Sequence, residues 1–262
     1  MNAVIIAGGQ VQPKEPLYQV TGGGLKAMVP IAGKPMVQWV IDALCRSQSV
    51  KQIVLVGLPQ EIALDSSKPC TMINDQGDML GNIQAGAREL ARLDPSETHS
   101  LLVSGDLPAL RPGMIDWLAY ETRARDVDVY YTVIQREKME EVFPGSRRTY
   151  LHLKDLQVCG GDCHCFRIGF AVEENAIWRR LLAARKNPLR QASILGYDTL
   201  FFLLLRQMSL SEAAQTAGRK LGITGRAVLS PFPEMGMDVD KPFQLEILTS
   251  YLERDKTIPR QK

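Results

Sequence analysis

The sequence predicts an α/β protein with three layers, α/β/α, around a mostly parallel, Rossmann-like sheet. Short runs that are apolar on both faces alternate with helical patterns, as expected for strands covered on both sides. Glycine- and proline-containing turns separate these runs. The chain has 262 residues, of which 45% are hydrophobic, so it is long and apolar enough for one large domain.

The first half of the chain carries most of the predicted sheet. The predicted strands are 3–7, 52–57, 71–74, 100–104 and 128–134. The predicted helices between them are 35–46, 82–93 and 112–123. A helix that joins two strands returns the chain in the same direction, almost always with a right-handed crossover. This order therefore favours parallel pairing.

After residue 135 the pattern changes. Residues 149–153 and 163–170 alternate like a two-stranded excursion around Gly160 and Gly161. Helices are predicted near 174–187, 193–207 and 211–221, the last capped by Ser209 or Ser211 and ended by Gly222. A strand at 226–230 and a closing helix from about Pro242 follow. We expect a single domain over 1–262, with an inserted β-hairpin and helical subregion at 136–224.

Charge and composition exclude several classes of protein. The formal net charge is +2, which gives no bulk attraction to nucleic acid or to a membrane. The five cysteines are odd in number and the first residues lack a secretory pattern, so we expect free thiols and a cytoplasmic protein. Cys159, Cys163 and Cys165 lack a CxxC pair, which favours small apolar side chains over a zinc site. The longest apolar run, 200–205, is too short for a membrane span and indicates core or a subunit interface, hence a homodimer as one expectation.

A glycine turn and a lysine come early in the chain. Ala7, Gly8 and Gly9 end the first predicted strand, and Lys26 lies between GGGL and AMVP. Backbone N–H groups without bulky side chains, beside a positive charge, suit a polyphosphate. Neither GxGxxG nor GxxxxGK[ST] is present, and an ordinary strand-to-loop turn remains the alternative for the two glycines.

Two acidic stretches are candidates for a magnesium site. Asp106, in GDLP, leaves the carboxyl end of a predicted strand, the edge where open α/β sheets bind ligands. Asp238 and Asp240, in MDVDKP, place both side chains on one face if the segment is extended. Mg²⁺ prefers one or two carboxylates completed by phosphate oxygens and water. A turn or cap role for Asp106, and capping of the last helix by Asp240, are the alternatives.

Amide side chains follow the third strand at the same edge. Gln76 and the run Leu80–Asn82 offer paired donors and acceptors that can read a base. Asn82 is alternatively a helix N-cap.

These motifs together resemble the nucleotidyltransferases with a glycosyltransferase-A-like sheet, which include molybdenum-cofactor guanylyltransferase. AVIIAGG, GLKAMVP and GKPM match the family's opening strand, glycine pair, lysine and GxP turn. GDLP and DVDKPFQL resemble its two acidic sites, and Gln76 with LGN resembles the QxxxLGT base-reading stretch.

The resemblance implies a nucleotidyltransferase dependent on Mg²⁺ or Mn²⁺. It would move a nucleoside monophosphate from a nucleoside triphosphate to a phosphorylated small-molecule acceptor and release pyrophosphate. The implied catalytic residues are Lys26 and Asp106. The implied nucleotide contacts are Ala7, Gly8, Gly9, Lys26, Gln76, Gly81 and Asn82, and the implied metal ligands are Asp106, Asp238 and Asp240. The segment 136–170 is expected to bind the acceptor through Gly160, Gly161, Arg147, Arg148 and Lys154.

Two other functions stay open. A glycosyltransferase on the same sheet typically carries DxD at the end of the fourth strand, where this chain has Asp106 alone. A non-catalytic nucleotide-binding or oligomerising module is favoured by the stretch 10–14, which lacks the arginine that many family members carry after the glycines.

Overall fold

The computed structural model describes residues 1–173 and 208–257 of the chain. The strands are β1 (Asn2–Ile6), β2 (Pro30–Ile31), β3 (Lys34–Pro35), β4 (Ile53–Val56), β5 (Cys70–Ile73), β6 (His99–Ser104), β7 (Val129–Gln135), β8 (Leu151–His152), β9 (Gln157–Gly160), β10 (Cys163–Arg167) and β11 (Gly225–Ser230). The helices are α1 (Tyr18–Thr21), α2 (Met36–Arg46), α3 (Met79–Leu93), α4 (Pro112–Glu121), α5 (Arg136–Val142), α6 (Ile168–Val172), α7 (Leu210–Leu221) and α8 (Pro242–Thr257), with short 3₁₀ turns at Lys26–Met28 and Pro233–Gly236.

One mixed sheet organises the described part of the chain. Its order is β5-β4-β1-β6-β10-β7-β9-β8, and β11 pairs with β7. The pairs β1–β4, β1–β6, β4–β5 and β7–β11 are parallel, whereas β10 runs antiparallel to both β6 and β7. The carboxyl ends of β1, β4, β5 and β6 therefore share one edge of the sheet.

Helices cover both faces of this sheet, which confirms the predicted three-layer fold. Along β1, Ala3 and Ile5 pack into a cluster with α2 and α4, while Val4 on the opposite face packs against Ala87 and Leu90 of α3. This alternation is what a strand buried on both sides requires. Because apolar packing covers both faces of the sheet, polar groups gather at its edge.

The predicted elements of the first half are all present. Later, the capping prediction at Ser209 is confirmed: its side chain accepts from the Glu212 N–H and Glu212 reciprocates, a capping box that begins α7. Gly222 ends α7 with φ of 67°. The strand β11 and the first-turn proline of α8 also follow the prediction.

The predicted pairing of the two-stranded excursion is wrong. Residues 149–153 do not pair with 163–170; instead β8 forms a hairpin with β9, and β10 enters the main sheet between β6 and β7. The helix α5 was not predicted, because a highly charged stretch carries little apolar periodicity. Part of the stretch 136–224 thus belongs to the sheet itself. The helices predicted at 174–187 and 193–207, and the apolar run 200–205, lie outside the described residues.

No described helix combines the length and apolar character that crossing a membrane requires.

Candidate functional site

A cleft of about 760 Å³ opens at the carboxyl edge of β1 and β6. It gathers residues that are far apart in the chain, because the loops that follow these strands meet the segment before α8. The sequence-predicted residues that line it are Ala7, Gly8, Gly9, Lys26, Asn82, Asp106, Asp238 and Asp240. Gln76, Gly81, Gly160, Gly161, Arg147, Arg148 and Lys154 are not among the lining residues.

Three carboxylates converge in this cleft. One oxygen from each of Asp106, Asp238 and Asp240 lies within 4.8 Å of the others. Asp106 and Asp238 are buried, and the hydroxyl of Ser104 donates to Oδ1 of Asp106 at 2.5 Å. The side chain of Asp240 faces Lys26, and its backbone N–H donates to the Gln244 side chain near the start of α8.

Lys26 sits between two of these carboxylates. Its Nζ is 2.5 Å from Oδ2 of Asp106 and 2.5 Å from Oδ1 of Asp240. Burial alone lowers the pKa of a lysine, but the charges of Asp106, Asp240 and Asp238 outweigh it and raise the pKa of Lys26 above its usual range. Lys26 is therefore a fixed positive charge at neutral pH.

Arg148 anchors the other side of the acidic group. Its guanidinium pairs with Asp238, lies 3.3 Å from Oδ2 of Asp162, and donates to the carbonyl of Gly160. Although Arg148 opposes the shift, burial and the neighbouring Asp106 raise the pKa of Asp238 to about 6. Burial and Asp238 likewise raise the pKa of Asp162 well above its ordinary value.

The chemistry of this donor set fits a divalent cation. The carboxylates of Asp106, Asp162, Asp238 and Asp240 face two side-chain cations, Lys26 and Arg148. Carboxylate oxygens are hard ligands, and three of them share one small volume. The raised pKa of Asp238 reflects first its burial and then the negative charge of Asp106 beside it.

Three of the remaining residues predicted for an acceptor, Gly160, Gly161 and Arg147, lie close to other residues of the chain. Gly160 and Gly161 are closely packed: a Cβ on Gly160 would lie 2.6 Å from the Tyr131 hydroxyl, and one on Gly161 would lie 3.1 Å from the Thr132 carbonyl. Arg147 is exposed, with its guanidinium 5.1 Å from the centre of the Phe243 ring. Lys154 is exposed too, so none of these places a charge directly on the cleft wall.

The residues predicted to read a base make hydrogen bonds within the loop after β5 and the start of α3. Asp78, not Asn82, caps α3 by accepting from the Gly81 N–H, so the capping alternative for Asn82 is wrong. Asn82 lines the cleft, but its amide donates to Asp75 and accepts from the Gln76 N–H. Its side chain therefore holds the loop after β5 in place. The side-chain amide of Gln76 donates a hydrogen bond to the backbone carbonyl of Asn74.

Sequence reasoning missed several residues that line the cleft: Glu15, Asp75, Asp78, Asp162 and His164. Asp75 and Asp78 lie on either side of the predicted Gln76, so the sequence indicated the loop but not these two residues of it. Asp162 and His164 reach the cleft because β10 is antiparallel, which places its first residues at the carboxyl edge of β6. The register of a sheet carries no local sequence signal that would reveal this.

His164 presents a neutral ring to the cleft. The Thr132 N–H donates to its Nδ1 at 3.1 Å, and the ring stacks on Tyr131 with centroids 4.4 Å apart. Burial lowers the pKa of His164 to about 4, so the ring is uncharged at neutral pH. With Nδ1 accepting, the ring proton resides on Nε2.

The glycine turn after β1 depends on a second glycine that follows β4. Gly57 has φ of +111°, and a Cβ there would lie 2.1 Å from the backbone nitrogen of Gly8. We expect Gly57→Ala to lower the free energy of unfolding by more than about 3 kcal/mol, because backbone strain and a backbone clash add. Urea denaturation measures this directly.

Gly33→Ala is the matched control for that substitution. Gly33 has a similar φ of +95°, but nothing lies within 4 Å of the position that a Cβ would take there. It isolates the cost of positive φ, on the order of 1 kcal/mol. Equal losses in the two variants would mean that the contact between Gly57 and Gly8 has no energetic weight.

About half of the chain is similar in sequence to curated proteins. A bifunctional protein GlmU from Exiguobacterium sp. is 31% identical over 128 residues, which are 48% of this chain and 27% of that protein. A GlmU from Geobacter metallireducens is 30% identical over 123 residues, 44% of this chain and 24% of that protein. The chain thus matches about a quarter of the length of these curated relatives.

Solved structures extend the likeness over the whole fold. A hypothetical transferase from Thermus thermophilus has a TM-score of 0.77 and 30% identity, and the match covers 94% of this chain and 100% of that one. A CMP:2-keto-3-deoxy-manno-octonic acid synthetase complexed with CTP has a TM-score of 0.55 and 13% identity, covering 97% of this chain and 100% of that one. The second likeness concerns the fold alone. The family model described as the MobA-like NTP transferase domain matches residues 3–162, and the chain belongs to that family.

Proposed function

We propose that this chain transfers a nucleoside monophosphate from a nucleoside triphosphate to a phosphorylated small-molecule acceptor and releases pyrophosphate. The observation that carries the proposal is the meeting of a glycine turn, Lys26 and three aspartates in one cleft. Each of these supplies one requirement of phosphoryl chemistry: close backbone approach, a fixed positive charge and hard oxygen ligands.

In the proposed reaction an oxygen of the acceptor phosphate attacks the α-phosphorus of the triphosphate. A new P–O bond forms, and the bond from the α-phosphorus to the oxygen bridging to the β-phosphate breaks. Pyrophosphate leaves with that electron pair. Because the attacking phosphate is already an anion, no general base is needed, and catalysis consists mainly of positioning and charge neutralisation.

The residues of the chain divide this work. Gly8 and Gly9 give the triphosphate close backbone contact, and Lys26 offsets its negative charge. Asp106 with Asp240 or Asp238 would hold Mg²⁺ or Mn²⁺, which when bound neutralises charge on the phosphate oxygens. The nucleotide base is assigned to the loop after β5 and the start of α3, where Asn82 lines the cleft.

The acceptor is assigned to the end of the cleft formed by Asp162 and His164. Both belong to the segment 136–170, in which the acceptor site is expected. In this proposal Arg148 acts through Asp162 and Asp238, which it holds in place, and His164 offers a neutral N–H donor.

A thermal-shift screen followed by a pyrophosphate-release assay tests the function. With Mg²⁺ present, we expect one of the four common nucleoside triphosphates to raise the melting temperature most, since a ligand that binds the native state stabilises it. Addition of phosphorylated acceptors with that nucleotide should then release pyrophosphate. Transfer of sugar from a sugar nucleotide, without pyrophosphate, would identify a glycosyltransferase instead.

A non-catalytic nucleotide-binding module is the second candidate. One observation favours it: among the described residues that line the cleft, the basic ones are Lys26 and Lys241, and none is an arginine. Nucleotide-dependent stabilisation with no pyrophosphate release across the acceptor panel would support this module over the enzyme.

A further inference from the structure

The position of Lys26 has a consequence for how a cation enters the site. Its ammonium lies 2.5 Å from both Oδ2 of Asp106 and Oδ1 of Asp240. The same two carboxylates belong to the three-aspartate group. Lys26 therefore occupies the space between the oxygens that a divalent cation would use.

The backbone ties Lys26 to the glycine turn. Gln10 and Leu25 form an antiparallel bridge, and the Val11 N–H donates to the carbonyl of Gly24. Asp240 comes instead from the segment before α8, and its side chain is 61% exposed. The pair thus joins two parts of the cleft through side chains that can separate without disturbing the sheet.

We propose that Lys26 and a divalent cation exclude one another on Asp106 and Asp240, so that the site takes the cation together with a nucleoside triphosphate. The phosphates give the Lys26 ammonium a new anionic partner, and the two carboxylates are then released to the cation. The substrate of this site is accordingly the metal–triphosphate complex rather than the two ligands in turn. This inference rests on the proposed function for its nucleotide.

Two positive charges repel each other strongly at the short distances within a half-buried site. While Lys26 is paired, free metal must compete with it for both carboxylates. If a polyphosphate draws Lys26 away and thereby strengthens metal binding, linkage requires that bound metal strengthens polyphosphate binding by the same factor. Removing the ammonium should therefore move the affinities for metal and for polyphosphate in opposite directions.

Lys26→Met tests this without any need for turnover. Mn²⁺ is titrated into nucleotide-free protein, and free Mn²⁺ is followed by electron paramagnetic resonance. We expect the variant to bind Mn²⁺ at least tenfold more tightly than the wild type. In a separate calorimetric titration with inorganic tripolyphosphate, we expect the variant to bind at least tenfold more weakly. Unchanged or weaker Mn²⁺ binding by the variant overturns the proposal.

Lys34→Met is the matched control. Lys34 also pairs with an aspartate, Asp42, and its side chain is 28% exposed against 25% for Lys26, but it lies outside the cleft. It should leave both affinities unchanged. A rise in Mn²⁺ affinity equal to that of Lys26→Met would show that the effect comes from the general loss of positive charge, and would overturn the proposal.

Lys26→Gln gives a second neutral variant, and circular dichroism establishes that each variant is folded. Tighter Mn²⁺ binding without pyrophosphate release by the wild type would leave the exclusion intact and reject the enzymatic function alone.

Discussion

Asp106→Asn is expected to lower turnover by about 10²-fold or more in the pyrophosphate-release assay. Asp106 is the residue at which the site converges: its two oxygens contact Ser104 and Lys26, and it lies within the three-aspartate group. The substitution keeps the shape of the side chain but removes the negative charge that pairs with Lys26 in the free protein and that would bind the metal once the nucleotide is present.

The loss should appear mainly as a lower kcat, because the metal that Asp106 would hold neutralises charge on the phosphates and does not contact the base. Asp42→Asn is the control, since Asp42 also pairs with a lysine, Lys34, but lies outside the cleft. It should retain the activity of the wild type. Near-normal Mg²⁺-dependent turnover by Asp106→Asn would remove Asp106 from the catalytic assignment.

Local sequence patterns were enough for the part of the site that follows single strands. Gly8, Gly9 and Asp106 were predictable because an apolar run followed by a small or acidic turn marks the end of a buried strand. Asp238 and Asp240 were predictable because alternate residues in an extended segment share a face.

The rest of the site depends on register and on pairing between distant segments. Asp162 reaches the cleft only because β10 inserts antiparallel beside β6, and no local pattern specifies that neighbour. Arg148 was predicted to meet an acceptor, yet it pairs with Asp162 and Asp238, since a buried charge requires a partner of opposite sign. Gly57 was predicted as an ordinary strand end; its close approach to Gly8 is visible only in three dimensions.

We expect Asp238 to make the free protein less stable at neutral pH than a neutral side chain would. Burial and Asp106 raise the pKa of Asp238 to about 6, whereas an aspartate in an unfolded chain titrates near about 3.9. Between these values the folded state keeps a proton that the unfolded state has released. The stability that this proton contributes is complete below about pH 4 and is lost as pH rises through about 6.

Asp238→Asn should therefore raise the free energy of unfolding of the nucleotide-free protein at pH 7.5 by about 3 kcal/mol, since the two pKa values differ by about two units and each unit corresponds to about 1.4 kcal/mol. Urea denaturation at several pH values should show this gain shrinking towards zero near pH 4. Asp128→Asn provides a control of opposite sign: although burial opposes the shift, hydrogen bonds from Thr224 and Arg167 lower the pKa of Asp128, so its loss should destabilise the protein.

Because Asp238→Asn removes one negative charge from the three-aspartate group that is proposed to bind the metal, it should also weaken Mn²⁺ binding. A variant that is both more stable and poorer at binding metal would identify Asp238 as a charge retained for function at the expense of stability; a loss of stability at pH 7.5 would mean that its pair with Arg148 outweighs the burial of its charge.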